Sequence, residues 1–184
     1  MIASSTPVSF TVSAAGAAPG FYFEAQLTSN LCWAASIRMV ANRMGLPARH
    51  LQCEMPTYYF GADNCCPQPD EFSDCNKPLD VTAFAGVASD WGINATLHDA
   101  RPGTVPIQSV IDQLTAGRPV PVFFAWTDGG RQGHFAVVGA VNTAGPEPLF
   151  LMLDPGQPGP GTVTARGLAT AYGSGECIIA WQLG

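Results

Sequence analysis

The sequence predicts an α+β protein, with a mostly helical first half and a mostly antiparallel-sheet second half. Three observations predict it. Between Leu31 and Met44, apolar residues recur at steps of four, three and four (Trp33, Ile37, Val40, Met44), the period of one helix face. After residue 117 the apolar residues fall instead into short runs separated by Gly, Pro and Asp, as in strands joined by turns. The chain of 184 residues is also long enough to bury about 70% of its extended surface, which suits a single domain over residues 1–184.

Residues 8–14 (VSFTVSA) suit a short strand that joins the later sheet. The helix from Leu31 to Met44 is expected to be capped by Ser29 or Asn30 and stopped by Gly45, with Arg43 meeting the C-terminal end of its dipole. A short helix is expected at 47–54, followed by irregular structure rich in Pro, Cys, Asn and Asp. Asp80 can cap a helix to about Ser89 with Val81, Phe84, Ala85 and Ala88 on its apolar side. Pro106 to Thr115 reads as another helix, with Ile107, Val110, Ile111 and Leu114 facing inward and Gly117 ending it. Strands are expected at 119–126, 134–142, 149–154 and 176–183, with the prolines of the first confined to its start or to an edge. This places a helical part at roughly 24–116 and a sheet part at roughly 117–184, with the functional site in the cleft between them.

Composition narrows the function. Hydrophobic residues make up 47% and charged residues 12%, against a disordered chain. The net charge is -6, and the only lysine is Lys77. No basic stripe is present to hold a phosphate backbone, so nucleic acid is not an expected partner. Nor is there an apolar run of about 20 residues to span a bilayer. The monomer is the default state. A soluble enzyme, an acidic binding module or a small secreted toxin-like domain remain.

Cysteines stand at 32, 53, 65, 66, 75 and 177. The dense set at 53–75 reads as a disulfide-stapled loop in an oxidising compartment. Structural zinc fits less well, because Cys65 and Cys66 are adjacent and lack the usual ligand spacing, with His50 a poor supplement. Two disulfides among these four are expected, and a direct Cys65–Cys66 bridge is geometrically disfavoured, which leaves two pairings. Cys177, in an apolar strand, is expected to stay a buried thiol. The first twenty residues show no basic leading segment and no continuous apolar core, so they do not read as a signal peptide, though a removed one would suit the cysteines.

Cys32 opens the first long helix, where orphan N–H groups and the helix dipole favour a thiolate. Gln26, six residues earlier, can donate with the Cys32 N–H to a developing oxyanion. The thiol needs a base, and the histidines are His50, His98 and His134. His134 is preferred, because it opens a strand directly after a Gly-rich turn and so holds an imidazole rigidly at a cleft edge. His50 lies in the cysteine-rich region and His98 in a polar segment. Asp154, at the end of a strand before Pro155, is the expected acceptor that orients the imidazole. Asn142 lies eight residues beyond His134 on the same strand, roughly 26 Å away. Asp128 falls in a turn. Each residue also has a plainer reading: Cys32 as a core cysteine, Gln26 as a surface amide, Asp154 as a turn former, and Trp33, Phe123, Phe124 and Trp181 as packing, with Trp126 placed to flank the cleft.

The combination of Gln26, Cys32-Trp33-Ala34-Ala35, GRPVPV at 117–122, Gly133-His134-Phe135-Ala136-Val137-Val138-Gly139 and LMLDPG at 151–156 resembles the papain-like cysteine peptidases. The resemblance runs over roughly residues 24–183. Asp154 in place of the plant enzymes' Asn makes it most similar to bacterial members, namely effector proteases delivered into host cells and peptidases that process bacteriocin leaders. It implies the two-lobed papain-like fold and a secreted or host-delivered thiol protease. Gln26 then belongs to the oxyanion hole, Cys32 is the nucleophile, His134 its base and Asp154 the orienting group. No metal or organic cofactor is implied, and the partner is a protein or peptide substrate. The expected reaction is endopeptidase hydrolysis. The same thiol chemistry would serve a protein glutamine deamidase, transglutaminase or acyltransferase, and an inactive papain-like binding module is the non-enzymatic alternative.

Overall fold

The computed structural model describes residues 21–66, 71, 73–99, 105–126 and 133–184; the expected strand at 8–14 lies outside them. Helix α1, Cys32–Arg43, is buried on nearly every side, with Trp33, Ala34, Ala35, Ser36, Ile37, Met39, Val40 and Ala41 all inaccessible. The sequence pattern predicts only one apolar face. The small residues Ala34, Ala35 and Ala41 let neighbouring segments approach from the other sides as well, as a helix in a core requires. No side chain caps its start, contrary to the expectation for Ser29 or Asn30. Its end follows the pattern: Gly45 takes φ +69°, and the N–H groups of Gly45 and Leu46 return to the carbonyls of Asn42 and Ala41.

The short helix α2 spans Met55–Phe60 rather than 47–54, with a proline in its first turn and Gly61 in the left-handed conformation at its end. Helix α3, Phe84–Asp90, follows a single 3-10 turn at Val81–Ala83, whose first amides are capped by Asp80 through a 2.8 Å bond to the Thr82 N–H. Strand β1, Ala95–Asp99, is not expected from the sequence; its ladder is completed by β6, Gly175–Leu183. Helix α4, Ile107–Thr115, ends at Gly117 as predicted. Strands β2 (Val120–Trp126), β3 (Gly133–Asn142) and β4 (Leu149–Leu153) follow the predicted runs. A further strand, β5 (Gly161–Thr164), helix α5 (Ala165–Ala169) and a 3-10 turn at Ala171–Gly173 complete the described elements.

The six strands form one antiparallel sheet in the order β1-β6-β2-β3-β4-β5. Pro121 sits at the start of interior strand β2, pairing with Val137 of β3 one residue before the β6 ladder begins at Val122. The sheet is covered on both faces. Phe135, Val137, Leu151, Leu153 and Trp181 pack with α1 and α3, whereas Ala136, Val138, Phe150, Met152 and Val122 pack with α4 and α5. Alternation along β3 is interrupted at Gly139, where the register with β4 shifts, so that Val137 and Ala140 reach the same core. Thus β1 and α4, both ahead of residue 117, pack with the sheet.

Phe84 ties α3 to the sheet, with its ring 5.1 Å from Phe135 and 4.4 Å from Trp181. Phe84→Ala should therefore lower the unfolding free energy by about 3–5 kcal/mol, read as a lower urea midpoint with an unchanged slope.

Candidate active site

Cys32 is the first residue of α1 and is 6% exposed. Its position is fixed from outside the helix. The Ser29 N–H and hydroxyl both bond to the Glu71 carboxylate, at 3.0 and 2.7 Å. The Asn30 N–H bonds to Asn76 Oδ1 at 2.8 Å, and the Trp33 indole N–H to the Lys77 carbonyl at 3.0 Å. The polar side chains expected to cap α1 are thus engaged by a loop more than forty residues away. Disulfides Cys53–Cys66 and Cys65–Cys75 staple that region, which is one of the two expected pairings, and Cys32 and Cys177 remain buried thiols.

Upstream, a buried polar network straps residues 22–27 to α1. The Arg38 guanidinium pairs with the Glu24 carboxylate at 2.8 Å and also donates to the His50 carbonyl. Gln52, 2% exposed, donates to Glu24 and the Ala25 carbonyl and accepts from the Leu27 N–H at 2.6 Å. Gln26 sits within this strap. Its backbone N–H bonds to the Pro155 carbonyl at 2.9 Å, placing it beside the residue that follows Asp154. Its amide nitrogen donates to the Ser29 carbonyl at 2.9 Å, and its buried Oε1 has no partner among the described residues. One amide N–H therefore remains to point elsewhere.

His134 lies at the start of β3, and Asp154 directly follows β4. His134 Nε2 is 2.5 Å from Asp154 Oδ1, which leaves Nδ1 for the Cys32 sulfur, which interacts with the same ring. The Gly156 N–H also bonds to Asp154 Oδ1 at 2.9 Å. A Cβ at Gly156 would fall 3.2 Å from the imidazole, so a residue without a side chain keeps this turn close. Trp126, expected only to flank the cleft, stacks on His134 with ring centroids 6.0 Å apart. Burial opposes a charge on His134, yet the hydrogen bonds and negative charges of Asp154 and Cys32 raise its pKa to about 9. Burial likewise opposes the Asp154 charge, but His134 and two further donors hold its carboxyl below the ordinary value.

The other sequence candidates lie elsewhere. The His50 ring stacks on Tyr58 at 4.4 Å and meets Trp91 at 6.1 Å, within an aromatic cluster. The backbone of His98 pairs with Ala180 on edge strand β1, separated from β3 by β6 and β2. Asn142 ends β3 opposite Leu149 and accepts from the Ala144 N–H. Asp128 lies outside the described residues. Among the described residues no group of His, Cys, Asp and Glu is arranged to hold a metal ion, and no helix is long and apolar enough to cross a membrane.

Two cavities flank the pair. One, of about 520 Å³, opens at Cys32 between Leu79, Val81, Phe123 and Phe135. The other, of about 630 Å³, lies behind Asp154 and is lined by Trp126, Met152 and Tyr172. The Tyr172 hydroxyl also interacts with the Asp154 carboxylate. Nothing in the sequence marks this tyrosine, because its place depends on an irregular backbone after α5.

A pH dependence follows. The His134 pKa is higher in the folded chain than its ordinary 6.5, so the stability it contributes is complete below that pH and lost as pH rises through about 9. The unfolding free energy should fall across that window in denaturant titrations, and Asp154→Asn should flatten the fall. Cys65→Ser with Cys75→Ser should cost about 2–4 kcal/mol. It should also raise hydrogen exchange at Asn30 and Trp33 more than in the sheet.

The sequence matches the family described as papain-like cysteine protease AvrRpt2 over residues 20–164. No curated protein matches it. The matched span includes the start of α1, the β3 histidine and the aspartate after β4, and covers most of the chain. The α+β architecture and this match agree: the chain belongs to the papain-like cysteine protease family.

Proposed function

We propose that the protein is a cysteine endopeptidase in which Cys32 is the nucleophile, His134 the general base and acid, Asp154 the orienting acceptor and Gln26 an oxyanion donor. The observation that carries this reading is the 2.5 Å hydrogen bond between His134 and Asp154, with the Cys32 thiol interacting with the same imidazole. In the resting enzyme Cys32 is a thiolate paired with the His134 imidazolium. The sulfur attacks the carbonyl carbon of a peptide bond, and the carbonyl oxygen becomes an oxyanion. The remaining Gln26 amide N–H and the Cys32 N–H, one of the orphan donors at the start of α1, stabilise it. The intermediate collapses to a thioester as His134 gives its proton to the leaving amine. His134 then takes a proton from water, which attacks the thioester and releases the acid and the thiolate. The steps need no metal or organic cofactor.

The substrate in this reading is a protein or peptide that enters between the α1 side and the sheet side of one two-lobed body, with the cavity beside Cys32, which Asn30 and Asp80 line together with apolar residues, receiving a substrate side chain. Monomeric action is proposed as the default state. A secreted or host-delivered location is supported by the two disulfides and by the similarity to effector proteases.

Cys32→Ala and His134→Ala should each abolish peptide cleavage while the chain still folds, shown by an unchanged circular dichroism spectrum and a cooperative melting transition; retained cleavage in both would refute the assignment. Gln26→Ala should lower kcat by about 100- to 1,000-fold. It should leave alkylation of Cys32 by iodoacetamide near the parent rate, because it removes an oxyanion donor and not the base. Release of ammonia from protein glutamine without chain cleavage would instead identify a deamidase.

A further inference from the structure

Asp154 is 4% exposed and has three donors beside it: His134 Nε2 at 2.5 Å, the Gly156 N–H at 2.9 Å, and the Tyr172 hydroxyl, which interacts with its carboxylate and lines the cavity behind it. The first two come from the sheet and from the adjoining turn. The third needs an unusual backbone. Ala171 and Tyr172 take φ values of +44° and +60° in succession, a left-handed conformation that side chains other than glycine rarely adopt. Such strain persists only where surrounding contacts over-determine it, and it gathers at functional sites. Here the Tyr172 ring packs edge-to-face on buried Phe124, with centroids 5.5 Å apart. Behind the Asp154 carboxylate lies the cavity of about 630 Å³, so packing alone does not hold the carboxylate on that side, and Tyr172 lines the same cavity.

We propose that Tyr172 is a positioning residue for the reaction: its hydroxyl fixes the Asp154 carboxylate and, through it, the His134 ring. The proposal rests on the Cys32–His134–Asp154 reading. It concerns a residue beyond the 20–164 span of the family match. Among the described residues, the titratable groups that face Asp154 and Tyr172 are His134 on β3, Cys32 behind it on α1, and Cys177 on β6. Burial, the Asp154 charge and their hydrogen bond push the Tyr172 phenol well above its ordinary range, so it remains a donor wherever the enzyme works. Donation to Asp154 counteracts the burial that would otherwise protonate the carboxylate. Loss of the hydroxyl raises the pH at which Asp154 takes up a proton. On the acid side His134 then loses its anionic acceptor sooner.

The test is Tyr172→Phe in the full chain, which keeps the ring and removes only the hydroxyl. Two quantities are followed from acid to neutral pH: the rate of Cys32 alkylation by iodoacetamide, located by peptide mass spectrometry, and the proton NMR signal of the His134 ring N–H facing Asp154. The acid limb of both should move up by roughly one pH unit. A merely structural tyrosine would lower the melting temperature and leave both limbs where they are, and that result overturns the proposal. Asp154→Asn separates the two levels of inference. If it alters the alkylation profile and Tyr172→Phe does not, Tyr172 alone is misassigned. If Asp154→Asn leaves the profile unchanged, the reading of Asp154 fails and the proposal falls with it. Where both single variants shift the limb, the double variant should shift it no further than Asp154→Asn alone.

Discussion

The short hydrogen bond between His134 and Asp154 is the interaction on which the rest of the site depends. An imidazole this far from water would by itself lose its proton readily. A carboxylate this far from water would by itself gain one. Each reverses the other's tendency, and Cys32 adds to the effect on His134. The two side chains meet because β3 and β4 run antiparallel with Val137 opposite Leu153, which brings the start of one strand and the end of the other to the same end of the sheet. A slip of one residue would turn one partner to the other face. The bulge at Gly139 absorbs the mismatch further along β3, away from the pair.

Bringing Cys32 to that end of the sheet is the task of the helical side. Helix α1 lies on the sheet through an almost wholly apolar contact, which fixes its distance but not its rotation or its axial position. Directional contacts supply those. The Glu24–Arg38–Gln52 network holds the strap before the helix, and the disulfide-stapled loop holds Ser29, Asn30 and Trp33 at its first turn. The chain thereby keeps two kinds of sulfur chemistry apart. Four cysteines are consumed in bridges closing short local segments, while Cys32 is engaged by an imidazole on a different element.

Much of this is legible in the sequence, and the exceptions have physical causes. Helices α1, α3 and α4 and strands β2, β3, β4 and β6 follow from period and terminators, because their residues face one environment along their length. Strand β1 does not, since Ala95–Asp99 contains few strand-forming side chains and exists as a strand because the edge of β6 pairs with it. The helix expected at 47–54 starts eight residues ahead of α2; the Pro in its first turn and Gly61 at its end are the markers that locate it. Ser29 and Asn30 have the chemistry of helix caps, but distant Glu71 and Asn76 satisfy them instead, a competition that local sequence does not contain. Cys32, His134 and Asp154 are legible because each stands at the end of a predictable element. Tyr172 is not, because a left-handed tyrosine leaves no pattern.

The central claim is that His134 is held as an imidazolium in a buried site by its interactions with Asp154 and Cys32. The direct measurement is a titration of the His134 ring by heteronuclear NMR in the intact protein, with the Cys32→Ala and Asp154→Asn chains as references. The structure predicts a midpoint near 9 in the parent chain, with each reference chain displaced toward the ordinary 6.5. A parent midpoint at or below 6.5, unmoved by either substitution, would mean that burial governs this histidine and that the three residues do not act as one unit.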